Sequence, residues 1–207
     1  MPENLEYIKY DTLFFERYAR ISLIELVDER FVSLKNADRP DLQDKERSVG
    51  IEVTRAIRED KNVAHALIND MVGKPTVNTE GWLDVAKYGY TYGLHKNMIG
   101  EIEYAYWSTA LPLRRIVKSK VDKVANGFYG DFDVYGLYVF VKEELEAKLI
   151  KQLIEYIIKL QAKNEHRYST MYISQISDLF VCNLKKVSYE KIPIDETMRI
   201  KFYKESI

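Results

Sequence analysis

The chain has 207 residues, with 31 lysines and arginines against 32 acids and a formal charge of -1, so it lacks the molecule-wide positive field that draws proteins onto polyanions. Its hydrophobic share of 46% is enough for a real core, and a single cysteine, Cys182, excludes a disulfide framework and a thiolate zinc cluster. The opening MPENLEYIKYD carries acids and no apolar run, and no stretch of about 18 apolar residues follows, so a soluble, cytoplasmic protein without membrane contact is expected.

In chain order, Leu13, Phe14, Ile21, Ile24 and Val27 recur at helical spacing and predict a packed helix over 12–28. Two short β-like stretches follow, at 31–34 and around Asp41, joined by the turn-forming Asn36-Ala37-Asp38-Arg39-Pro40. A second turn at 44–47 leads into VGIEVTRAI, whose alternation predicts a strand with Glu52 and Thr54 on one face and Val49, Ile51 and Val53 on the other. Residues 59–72 look helical and end at Gly73-Lys74-Pro75. Glycines interrupt the next segment, so about 74–113 is expected to be an insertion or irregular subdomain within one domain spanning 1–207. Helical spacing resumes over 114–128, and VYGLYVFV (134–141) has the length and continuity of a buried strand. Leu145, Leu149, Leu153, Ile157 and Leu160 mark a helix over 143–163, and strands follow at 168–174, 179–184 and 187–194. The expected fold class is α/β, a central mixed β-sheet flanked by helices.

A divalent cation that activates water for phosphodiester cleavage needs hard oxygen ligands, and carboxylates on adjacent strands supply them. Asp41 and Glu52, with ten residues between them, fit that need, since a hairpin can bring both to one end of a sheet. No HxxxH, HExxH, GxGxxG or GxxxxGK[ST] pattern occurs, and His65, His95 and His166 are scattered, so a histidine metal site, a Ser-His-Asp triad, and dinucleotide and P-loop binding have no support.

Pro40-Asp41, ten residues and Glu52-Val53-Thr54 together resemble the PD-(D/E)xK nuclease superfamily, with threonine where its motif has lysine. LFFERYARISLIEL resembles the first helix of that restriction-endonuclease-like fold, and its Phe-Glu pair matches Glu16. The order of one helix, three strands, a crossover helix and a fourth strand is also similar over about the first 140 residues. The resemblance implies a metal-dependent nuclease hydrolysing DNA, with Glu16, Asp41, Glu52 and Thr54 catalytic. It implies Mg2+ or Mn2+ held by Asp41, Glu52 and the Val53 carbonyl, and a homodimer. The missing cation would come from Arg55 or Lys61, or from Lys118, Lys120 or Lys123 on the crossover helix; otherwise the metal acts with Thr54 aligning water.

Arg114, Arg115 and Lys118 belong to a basic run on that helix and are the expected nucleic-acid contacts, against the alternative of a solvated face. Glu25 is a weaker candidate than Glu16, for which an i,i+4 pair with Arg20 is the plainer role, and Gln43 shares the face of Asp41. Two rival functions stand beside the nuclease. One is a catalytically degenerate module of the same fold that binds nucleic acid or a protein. The other is a regulatory protein assembling through the tyrosine-rich 88–107 segment.

Overall fold

A computed structural model describes residues 12–56, 110–141, 144–175 and 177–207. The helix expected at 59–72, nearly all of the insertion at 74–113, the tyrosine-rich segment and Lys61, His65 and His95 lie outside the described residues.

Helix α1 (Thr12–Leu26) turns Ala19, Ser22 and Leu23 inward. It leads to a 3-10 helix (Glu29–Ser33) where the sequence suggested a strand; Asp28 caps it by accepting from the Arg30 N–H. That cap and the burial of Phe31 against Tyr172 outweigh the β-propensity of Phe-Val. Strands β1 (Lys35–Asn36), β2 (Leu42–Gln43) and β3 (Val49–Arg55) form an antiparallel meander. Helix α2 (Ala110–Ala125) precedes β4 (Val134–Phe140), which pairs parallel to β3, and α3 (Ala147–Leu160) precedes β5 (Tyr168–Ser174), parallel to β4. Strands β6 (Asp178–Asn183) and β7 (Ser188–Pro193) return antiparallel, and α4 (Glu196–Ser206) closes the chain. The result is an α/β fold with a seven-stranded mixed sheet in the order β1 to β7 and four helices among the described residues. None of the described helices is long and apolar enough to cross a membrane.

The period of two in the central strands divides the core between the two faces. On one face Tyr135, Leu137 and Val139 pack with Val117, Val121 and Val124 of α2 and with Ile150, Leu153, Ile154 and Ile157 of α3. On the other, Ile51, Val53 and Tyr138 pack with Ala19 and Leu23 of α1 and Phe202 of α4. The buried Tyr138 hydroxyl shares a 2.8 Å hydrogen bond with Ser22 Oγ, so the polar tip of a core ring is satisfied by the helix above it. Helix α4, which the apolar pattern did not announce, is N-capped by Asp195 and tied to α1 by the 2.7 Å Lys201–Glu25 pair. Glu25 is thus a helix-to-helix contact.

Close approach is most demanding at Gly50, where an added Cβ would lie 2.8 Å from Pro40 Cγ and 2.9 Å from Phe132 Cγ. The first residue of β3's buried half therefore has to be glycine for the Pro40 turn to lie flat on the strand. Gly50→Ala is expected to destabilise the fold by about 1–3 kcal/mol, as overpacked cores do. Urea denaturation measures it, and an unchanged midpoint would show that Pro40 and Phe132 yield freely.

Candidate functional site

Pairing of Leu42 with Ile51 and Gln43 with Gly50, extended by one step, sets Asp41 opposite Glu52. Strand β2 ends at this point, and the Asp41 side chain continues its ladder: Oδ2 accepts from the Val53 N–H at 2.7 Å. In an extended strand a residue's N–H and C=O share an edge, so the Val53 carbonyl faces the side that Asp41 occupies. Gln43 does not reach this site. Its amide donates to the Pro40 carbonyl at 3.1 Å and steadies the turn that delivers Asp41.

Glu52 is 6% exposed and lies on the face covered by α2. An isolated buried carboxylate is costly, and the charge that answers it is the Lys120 ammonium, which donates to Glu52 Oε1. Of the three lysines open to the role of missing motif lysine on this helix, the fold brings Lys120 to the carboxylates. Lys118 is an exposed partner of Asp122 at 2.7 Å, and the Lys123 ammonium lies 4.8 Å from the centre of the Phe128 ring. Arg55 is directed elsewhere, its guanidinium 4.7 Å from the Phe15 ring centre. The helical phase was readable in retrospect: Val117, Val121 and Val124 are the buried stripe, and Lys120 borders it. Thr54 follows Glu52 on the same face of β3, where it pairs with Val139 of β4.

Glu16 stands on α1, and its Oε2 accepts from the Asn36 amide at 2.9 Å. Arg20, its supposed i,i+4 partner, instead donates to the Val32 and Leu34 carbonyls and clamps the 3-10 helix. The charge of Glu16 nonetheless reaches Asp41. Burial, then the neighbouring Glu52 charge, and more weakly Glu16, raise the Asp41 carboxyl from 3.8 to about 7, against the opposing Val53 N–H and Lys120. Three acids thus share one field.

Two tyrosines complete the surroundings, and nothing in their sequence context marks them. Tyr129, in the turn after α2, is 2% exposed, and its hydroxyl is buried without a completed hydrogen bond, although Glu52 and Tyr168 both lie against it. Tyr168 begins β5; its carbonyl accepts from Gln161 Nε2 and its N–H donates to Gln161 Oε1, and its hydroxyl is directed toward the Lys120 carbonyl at 3.4 Å. Burial first, and then nearby charge, push both phenols well above their ordinary range, so both remain proton donors facing the carboxylates.

Among the described residues no group of three or more His, Cys, Asp or Glu is positioned to hold a metal ion. The oxygens that could hold a cation here are those of Asp41, Glu52 and the Val53 carbonyl. That set would suit a hard cation which retains several waters, and a dication would offset the burial and the Glu52 repulsion that raise the Asp41 carboxyl. The expected nucleic-acid contacts fare unevenly. Arg114 lies over the Tyr156 ring at 5.5 Å and Lys118 is paired, while the Arg115 side chain is outside the described residues. Comparison with protein-family models, curated proteins and solved structures returns no match.

The folded chain holds the Asp41 proton more tightly than the unfolded chain. The stability this contributes is present below about pH 3.8 and is lost as pH rises through about 7. The parent's stability is therefore expected to fall between those pH values relative to Asp41→Asn. Parallel urea titrations of the two proteins across that window measure it, and curves that stay parallel would contradict the raised carboxyl.

Proposed function

We propose that this chain is a metal-dependent nuclease of the PD-(D/E)xK type acting on DNA, with Lys120 in the place of the motif lysine. The observation that carries the reading is the ion pair between Lys120 of α2 and Glu52 of β3, set beside Asp41. A helix, an antiparallel meander and a crossover to a parallel fourth strand is the order that the restriction-endonuclease-like fold implies, and it supports the same reading. So does the chemistry of the donors: Asp41, Glu52 and the Val53 carbonyl would hold Mg2+ or Mn2+. When bound, such a cation lowers the pKa of water and offsets the charge that develops on phosphorus.

The residues then divide the work. Lys120 keeps a positive charge within reach of the attacking water and the phosphoryl oxygens, and Glu16, through its field on Asp41, tunes the carboxylate pair. Tyr129 and Tyr168 supply protonated hydroxyls that can orient Glu52 or water. Thr54 loses the catalytic weight that the motif alignment assigned to it. A cytoplasmic location accords with a single free cysteine, which can form no internal disulfide, and the homodimer implied by the resemblance belongs to the same proposal.

The second reading, a degenerate module that binds nucleic acid without cutting it, is favoured by one feature: Lys120 already neutralises Glu52 and so competes with a cation for it. A cleavage assay on linear, circular and single-stranded DNA with magnesium or manganese separates the two. Asp41→Ala, Glu52→Ala and Lys120→Met are each expected to lose roughly 100-fold or more, the scale on which charge-stabilising groups act. Thermal midpoints establish that the variants are folded. Cleavage undiminished in Asp41→Ala and Glu52→Ala would sink the site, and a parent that binds DNA but never cuts it would establish the degenerate module.

A further inference from the structure

Helix α2 ends in a Schellman-type turn. Gly127 takes a left-handed φ of 68°, and the Phe128 N–H bonds back to the Lys123 carbonyl at 3.0 Å. This closure turns Phe128 alongside the last turn of the helix and leaves its side chain 44% exposed. Two cations from different elements converge on that ring: the Lys123 ammonium at 4.8 Å and the Arg39 guanidinium at 4.9 Å from its centre. Arg39 itself holds a left-handed φ of 63°, a conformation that a branchless glycine adopts far more readily.

Both cations are close in sequence to residues of the carboxylate pair and its lysine. Lys123 follows Lys120 by three residues, about 4.5 Å along a helix axis, and Arg39 precedes Asp41 by two. Together they flank a site whose own three acids would repel a polyanion. From the Lys123–Phe128 corner an open groove of about 520 Å³ runs along α2, lined also by Lys118, Ser119, Asp122 and Asn126. An exposed cation–π contact is too weak to be needed for folding, so the fold alone gives little reason for two long basic side chains to be held on one aromatic ring.

We infer that Arg39 and Lys123, held in place by Phe128, bind the phosphodiester adjacent to the one that Asp41 and Glu52 address. The inference rests on the nuclease reading and names the part of the substrate that the acids cannot hold, the polyanionic strand itself. It adds Arg39 and Lys123 to the contacts expected of this helix: Lys118 lines the same groove, and the exposed ion pairs of Lys118 with Asp122 and of Arg39 with Asp38 are both weak enough for a phosphate to displace. A single strand and a duplex offer the same phosphate chemistry and are the two probes of the test.

Binding of labelled single-stranded and duplex oligonucleotides is followed by fluorescence anisotropy over a range of salt, in an Asp41→Asn background with magnesium present so that the probe survives. Arg39→Gln with Lys123→Gln is expected to flatten the plot of log affinity against log salt by about 1.4 on the single strand or about 1.8 on the duplex, the yield of two phosphate contacts. Phe128→Leu is expected to flatten it by less. Arg39→Lys with Lys123→Arg, which keeps both charges, should restore most of the slope. If the background protein binds and the double glutamine variant keeps its full slope on both probes, the inference is overturned while the nuclease reading stands. If the background protein binds neither probe, both are overturned.

Discussion

The buried charge of Glu52 is the constraint around which the rest of the molecule is arranged. A carboxylate at 6% exposure has to be met by a cation, and here that cation projects from α2 across the sheet face. Removing one partner of such a pair costs about 3–5 kcal/mol in general, because the other charge stays buried alone. The pair thus sets the rotation of α2 as firmly as its valines do, and that rotation determines which lysine meets the site and which turn outward.

Around this pair the sheet edge is built by substitution. Strand β2 begins only at Leu42, and the side chain of Asp41, the residue before it, takes over the hydrogen bond that a longer strand would have made to Val53. One residue thereby serves as ladder and as candidate ligand. Its position depends on Gly50, which lets Pro40 lie against the strand, and on Gln43, which braces the turn. Structure and chemistry are coupled closely enough that changes in the turn should be felt at the acids.

The electrostatic balance of the site follows from its depth. Burial and mutual repulsion hold a proton near Asp41 until about neutral pH, and the two phenols remain protonated beside it. On the proposed reading the acids would take the metal cation and the hydroxyls would direct its water, while Lys120 is the cation paired with Glu52 among the described residues. The cations at Arg39 and Lys123 converge instead on the Phe128 ring, the place proposed for the neighbouring phosphate.

Periodicity and turn chemistry in the sequence determined much of the architecture: α1, the strand carrying Glu52 and Thr54, the buried strand β4, the long amphipathic α3 and strands β5 to β7 all follow from local patterns, with ends that shift by a few residues. The pairing of Asp41 with Glu52 was legible too, because a turn of that length can join only neighbouring strands. Local patterns misjudged the stretch at 31–34, where a capping aspartate and a buried ring favour a 3-10 helix over Glu29–Ser33, and passed over α4, whose apolar residues are too sparse to draw a stripe. Only the tertiary structure chose Lys120 over Lys118 and Lys123, because that choice depends on how α2 is rotated over the sheet. It also brought Tyr129 and Tyr168 to the acids from turns and strands far along the chain. Those contacts are made by packing between distant elements, and no local spacing encodes them.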